Sequence, residues 1–360
     1  MAAPVAAVVE SEQVEAAPAV QRSAALDVFR GLTILLMLFV NNIMVEDVSP
    51  AIAHGEWSGN IGLADLVFPW FLLAVGVSLA YSWNKAKEKS SLANFILKAG
   101  KRTVVLVLLG MAVDSAVRRE VTIGLGVLQI IGVAYFLASC FIRLSAVWRA
   151  AAAALLLIGY GVFLHATPVP NFGPGDFTAE GNAARMVNDY LTPFGLRGLP
   201  SALPTAGAVL IGTVLGSLWI SARSRQTLLT FALGAILTFA GMAWGLITPH
   251  LKPIWTPSYI CLTLGLGILL LGVLRLVDSK VWGKVSWPLR AAGKSPIFAY
   301  VAPILVKIMV LQVWKMPGSQ QSLEQAGVAA AGPWTYMVLL ILAWWAIFLW
   351  MDLKKIVVKV

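Results

Sequence analysis

Several stretches of this chain run for about 18 residues or more with almost no charge, the length a helix needs to cross roughly 30 Å of hydrocarbon. Inside lipid the backbone must satisfy its own N–H and C=O groups, which leaves helices or a closed barrel. The runs are rich in Leu, Ala, Val and Gly and lack the period-2 alternation of barrel strands, so they read as helices. Only 12% of the 360 residues are charged and 59% are hydrophobic, too little charge to cover a soluble domain of this length. The expected fold is all-α, a polytopic transmembrane helix bundle.

About ten spans are expected, at 25–44, 62–83, 103–117, 123–142, 147–166, 202–221, 227–248, 257–277, 295–314 and 334–352, the third being short with Leu92 as an alternative start. Placing the N-terminus in the cytosol and alternating sides puts 19 of the 27 basic residues on the cytosolic side, counting Arg149 and Arg275 at the cytosolic ends of their spans. Six lie in outer segments (Arg118, Arg119, Arg185, Arg197, Lys252 and Lys315), and Arg30 and Lys307 lie within spans. This asymmetry is the positive-inside pattern, so both termini are expected in the cytosol. It also accounts for the net charge of +10 without a nucleic-acid partner. Residues 1–22, Ala/Val/Pro-rich with Glu10, Glu12 and Glu15, read as a disordered cytosolic tail, and 23–360 as a single transmembrane domain. Cys140 and Cys261 both fall in apolar runs and suggest no disulfide framework. No GxxxxGK[ST], GxSxG or HExxH is present, so ATP-driven pumping and the common hydrolase chemistries are unsupported, and no ligand spacing suggests a metal.

Polar residues that are costly to bury carry the functional signal, because an intramembrane charge must face a partner or a cavity. Asp27 and Arg30 share one face of the first span, as an ion pair or as the mouth for an anionic ligand with Lys101 and Arg102 nearby. The span ends in Asn41 and Asn42 and leads to a loop with His54, Glu56 and Trp57. His54 stands among carboxylates, and imidazole titrates near neutral pH. His165 and His250 read as interface residues. The second span opens with Asp65 and then Phe68-Pro69-Trp70; a buried aspartate before a proline marks freed carbonyls and a polar pocket, or a capping role. Asp114, Gln129, Lys307 and Gln312 add to a polar interior. The outer segments 45–61 and 167–201 are longer than a connection needs, as ligand-binding loops often are.

Several of these segments, in order, resemble the heparan-α-glucosaminide N-acetyltransferase family. They are Asp27-Val28-Phe29-Arg30-Gly31, Val40-Asn41-Asn42, His54-Gly55-Glu56-Trp57 and Ala64-Asp65-Leu66-Val67-Phe68-Pro69-Trp70-Phe71, with looser matches at Gly126–Gln129, Trp255–Tyr259 and Gly293–Pro296. The resemblance implies a membrane-embedded acyltransferase that takes acetyl from cytosolic acetyl-CoA and delivers it to the amine of a glucosamine on the far side. It maps the family's catalytic histidine onto His54 and a functional asparagine onto Asn41, with Asn42 as an adjacent rival. Two departures from the resemblance are expected: Ile130 follows Gln129 where the family often has Arg, and the lumenal region that precedes the membrane part of eukaryotic members is expected to be missing. The expectation is a bacterial-type member in the inner membrane, acting on an amino-sugar glycan, with a homodimer as an allowed assembly and membrane lipids as surroundings.

The expected mechanism follows. Basic cytosolic loops attract the phosphates of acetyl-CoA, with Arg30, Lys101, Arg102 and Gln129 as its contacts, and the pantetheine arm threads between spans towards the outer third of the membrane. His54 deprotonates the acceptor amine or carries the acetyl group itself. Asn41 orients the imidazole or donates to the oxyanion, and Asp65 holds the histidine tautomer or binds the sugar. Asn42, Glu56 and Trp57 are the candidate acceptor contacts. The rival expectation is a proton-coupled transporter or sugar-lipid permease without covalent chemistry.

Overall fold

The computed structural model describes residues 24–43, 51–221, 225–277 and 286–358. The expected tail at 1–22, the start of the 45–61 loop and Arg223, Lys280, Lys284 and Lys359 lie outside them.

Helices stand at all ten expected positions: α1 (Ala24–Val40), α2 (Leu63–Ala86), α3 (Leu92–Arg118), α4 (Val127–Cys140), α5 (Ala146–Ala166), α7 (Ala202–Ser221), α8 (Gln226–Gly245), α9 (Pro257–Leu276), α11 (Pro296–Val306) and α13 (Pro333–Leu353). Three shorter helices join them: α6 (Ala183–Leu191), α10 (Trp287–Gly293) and α12 (Leu323–Ala331). Among the described residues six helices are long and apolar enough to cross a membrane, or up to seven if a bent pair is counted as one span. That pair is α10 with α11 and its π-helical extension Lys307–Leu311, bent by 76° at the break. The chain is a helical integral membrane protein.

Local chemistry sets the helix ends. Ser91 and Ser145 accept hydrogen bonds from the backbone N–H groups of Asn94 and Trp148, relieving orphan donors at the starts of α3 and α5. Proline occupies the first turn of α9, α11 and α13, where its missing N–H costs nothing. The 167–201 segment forms a two-residue antiparallel hairpin (β1, Pro168–Val169; β2, Gly173–Pro174) followed by α6, which Asn182 caps.

The core is built on close helix pairs: α2 against α7, α8 along α9, α3 with α4 and α5 with α7. Lipid supplies no hydrophobic drive between helices, so close approach of small residues has to supply van der Waals contact. The α2/α7 crossing shows this. A methyl group on Gly76 would collide with the Val209 carbonyl and Gly212, and one on Gly212 would strike Leu73 and Gly76. Leu72, Leu73, Val77, Val209, Leu210 and Leu215 are sealed around that crossing. Replacing Gly76 by Leu should force the two helices apart and cost about 3 kcal/mol or more, since overpacking without room to relax is destabilising. Thermal unfolding of the detergent-solubilised protein should show a clear fall in midpoint, whereas Gly159→Leu, which faces open space, should leave it unchanged.

Candidate active site

The candidate site begins with a carboxylate at the first turn of α2. Asp65 is 1% exposed. Its Oδ2 accepts hydrogen bonds from the backbone N–H groups of Gly62 (3.1 Å) and Gly55 (2.8 Å). The first bond caps α2, and the second fastens the loop 51–62 onto the helix start. Gly55 is required there, because a methyl group would collide with the Asn60 carbonyl and press on the Asp65 carboxylate. Oδ1 is left for side chains: His54 Nδ1 lies 2.9 Å away and Lys252 Nζ 3.3 Å away. Lys252 Nζ is also 2.8 Å from His54 Nδ1 and donates a long bond to the Ala64 carbonyl. Burial pulls the Lys252 ammonium below its ordinary value, and the Asp65 carboxylate, followed by Glu56, opposes that pull.

Pro69 brings a second element to this point. Lacking an N–H, it cannot bond the carbonyl four residues back, which is that of Asp65. The hydroxyl of Tyr259, from the first turn of α9, donates to that carbonyl at 2.5 Å. Trp70 Nε1 donates to the Thr263 carbonyl at 3.0 Å, so α2 and α9 are joined twice. The chain leading into α9 carries Lys252. Two non-glycine residues in the left-handed region, Glu56 and Trp255, flank the site in the loops that present His54 and Lys252. Such backbone costs about 1–3 kcal/mol each and persists only where surrounding structure imposes it.

His54, Lys252 and Asn41 line one end of a cavity of about 270 Å³. Its wall on α2 consists of Ala64, Val67, Phe68, Phe71, Ala74, Val75, Ser78, Leu79 and Ser82, a spacing of three and four that marks one helical face. Ala64 and Ser82 are eighteen residues apart, about 27 Å along an α-helix and close to the thickness of a hydrocarbon core. Arg30 and Arg102 line the cavity from α1 and α3, joined by Leu106, Leu128, Ile131, Tyr135, Ile297 and Tyr300. The Arg102 guanidinium lies 5.1 Å from the centre of the Tyr135 ring. A mostly apolar passage thus runs beside α2, with cationic groups on its walls and an imidazole at one end.

The structure brings four of the expected residues to this cavity: His54, Asn41, Arg30 and Arg102. Asp65 stands directly behind His54. Arg30 is also 3.9 Å from Asp27, so pairing and cavity lining coexist. Asn42 is buried and donates from Nδ2 to the Leu38 carbonyl, finishing α1. Glu56 and Trp57 are exposed on the His54 loop without lining the cavity. Lys101 points to the surface. Gln129 is buried between α3 and α4, donating to Asp114 at 2.8 Å with its Oε1 unpaired. His165 bonds Thr248, and His250 contacts the Gly241 carbonyl, both apart from the cavity lining. Lys252 and Tyr259 were missed: Lys252 read only as one more loop charge, and its signal lay in preceding the Trp255–Tyr259 motif by three residues.

The catalytic-domain model of heparan-alpha-glucosaminide N-acetyltransferase matches residues 22–246. The chain belongs to that family. The match contains α1 to α8 with His54, Asp65 and both cavity arginines, and ends before Lys252. The heparan-alpha-glucosaminide N-acetyltransferase of Mus musculus is 32% identical over 134 residues, which cover 33% of this chain and 20% of that protein. The Homo sapiens enzyme of the same name is 31% identical over 125 residues, covering 32% and 18%. The chain thus spans about a fifth of the length of these curated relatives.

Because Asp65 satisfies two backbone donors and faces a cation, Asp65→Ala should cost about 3 kcal/mol and free the loop. Hydrogen exchange at the Gly55 and Gly62 amides should accelerate by at least tenfold, while amides in the middle of α9 keep their protection.

Proposed function

We propose that this protein is a transmembrane acetyltransferase that moves acetyl from cytosolic acetyl-CoA to the amine of an amino-sugar glycan on the opposite side. The observation that carries this reading is the membrane-deep cavity with arginines on its walls and His54 at one end. Family membership supports the reaction class. Residues 23–360 would act as one unit with ten crossings and both termini in the cytosol, in a bacterial inner membrane, as the basic loops suggest.

In this reading the phosphates of acetyl-CoA meet Arg30 and Arg102, and the pantetheine arm lies along the apolar face of α2. Lys101 and the basic loops raise the local anion concentration rather than touching the ligand. Gln129 holds α3 to α4, and its unpaired Oε1 has a cavity-lining neighbour in Leu128. The thioester then stops beside His54. With Nδ1–H donated to Asp65, the ring presents an Nε2 lone pair. That lone pair takes a proton from the acceptor nitrogen as the nitrogen attacks the thioester carbonyl. Asn41 donates to the developing oxyanion. The C–S bond breaks, the imidazolium returns the proton to sulfur, and CoA leaves as the thiol. Glu56 and Trp57, exposed beside His54, are positioned to meet a sugar arriving from the loop side.

Purified protein incubated with radiolabelled acetyl-CoA and a panel of amino sugars tests this. Acetyl-amide product should form on a glucosamine-type acceptor, and His54→Ala should lower the rate by about 10²- to 10⁴-fold. Product formation unaffected by that substitution, or binding of the sugar with no CoA affinity, would remove the assignment. Arg30→Ala should raise KM for acetyl-CoA about tenfold, as loss of one charge-assisted phosphate contact does, with kcat little changed. Ser78→Trp, which fills the passage one helical turn from Ser82, should abolish transfer while the thermal midpoint stays within a few degrees of wild type.

A further inference from the structure

Three polar atoms crowd one point behind the imidazole: Asp65 Oδ1, His54 Nδ1 and Lys252 Nζ are separated by 2.9, 2.8 and 3.3 Å. Proton bookkeeping shows that the three contacts cannot all be hydrogen bonds at once. A carboxylate only accepts and an ammonium only donates, whereas Nδ1 does one or the other. If Nδ1 carries a proton, it donates to Asp65 and Lys252 must bond Asp65 and the Ala64 carbonyl instead. If Nδ1 is bare, Lys252 donates to it and Asp65 loses its histidine bond. The opposite edge of the ring changes with the choice. In the first state Nε2 is a lone pair, fit to take a proton; in the second it is an N–H, fit only to donate.

We propose that Lys252 is a positioning residue for His54, competing with Asp65 for Nδ1, so that the working form is the one in which Asp65 holds the ring and Lys252 holds Asp65. The proposal rests on the acetyl-transfer reading and assigns to the α8–α9 loop a part in the reaction. Its physical content is a cation within hydrogen-bond reach of the ring, which disfavours a second positive charge on it. Lys252 thus opposes a charge on the imidazole, and Asp65 favours one, so the two neighbours pull the ring in opposite directions. Among the described residues, the charged and titratable groups around the ring are Asp65 from α2, Lys252 from the α8–α9 loop and Glu56 from the loop of His54 itself; Tyr259 of α9 is engaged with the Asp65 backbone carbonyl. When the ammonium swings off Nδ1, Asp65 is its counter-ion, and Glu56 adds a weaker negative field at Lys252.

The test is the pH profile of Lys252→Met beside Lys252→Arg, with Lys252→Gln as a second neutral variant. With the cation gone and Asp65 left alone, protonated His54 gains stability, so the acidic limb of kcat/KM should move up by about one pH unit or more. Lys252→Arg should restore the limb to within a few tenths. A lysine serving only as packing would lower activity without moving the limb, and an unmoved limb overturns the proposal. The second readout is independent of catalysis. The chain has three histidines, so ¹⁵N ring spectra with a His54→Gln control isolate the His54 signal. Its titration should shift upward in both neutral variants, and wild type near neutral pH should show Nδ1 protonated and Nε2 bare. A bare Nδ1 throughout, or a titration blind to residue 252, refutes the role of Lys252. If no variant nor wild type transfers acetyl while the ring titration moves as stated, the transferase reading fails and the Lys252–His54 coupling stands.

Discussion

A carboxylate sealed at the first turn of a membrane helix holds this site together. Asp65 has two oxygens with separate duties: one caps α2 and ties down the His54 loop, and the other faces an imidazole and an ammonium. An isolated buried carboxylate would be prohibitively unstable, so the glycine amides, the lysine and the histidine are required partners rather than embellishments. The proline four residues on has a matching consequence. It strips the Asp65 carbonyl of its helical donor, and Tyr259 replaces that donor from α9. The side chain and the backbone of one residue thus join the His54 loop and α2 to the segment entering α9, Asp65 and Tyr259 being 194 residues apart.

From that anchor α2 extends with one face to α7 and another to the cavity. The first face is smoothed by Gly76, which lets α7 approach, and the second alternates aromatic, alanine and serine side chains. The same helix therefore serves as core and as wall. Arg30 and Arg102 line the same cavity from α1 and α3 with chemistry suited to polyanions, whereas His54 stands where Asp65 can orient it. On the proposed reading this solves a specific difficulty, namely that a phosphate-bearing donor cannot cross lipid but a thin, uncharged arm carrying a thioester can.

Much of this was legible in the sequence, for physical reasons. Uncharged runs of membrane length marked the helices, and even the doubtful start of the third at Leu92 coincides with the serine-capped α3. Asp65 followed by Pro69 announced freed carbonyls and a polar pocket, and the DVFRG, VNN and ADLVFPWF segments pointed to the family. What stayed hidden depends on contacts between distant segments. Lys252 lies 198 residues from His54, and its place just before the Trp255–Tyr259 motif does not reveal that contact. Asn41 and Asn42 could not be ranked by spacing, since adjacent residues at a helix end differ only in which way the last turn faces. Gln129 looked like a ligand contact because a mid-span amide needs a partner, and that partner is Asp114, across the α3–α4 seam. The break before α11 is a matter of backbone geometry that hydropathy does not report.

The central claim is that a donor entering at the arginine end is used at the histidine end. Sealed proteoliposomes with one protein orientation, the acceptor trapped inside and labelled acetyl-CoA supplied only outside, measure it directly. The account predicts labelled acetyl-amide within the lumen, free CoA outside, and neither with His54→Ala. Product that appears only when donor and acceptor share one compartment would contradict it.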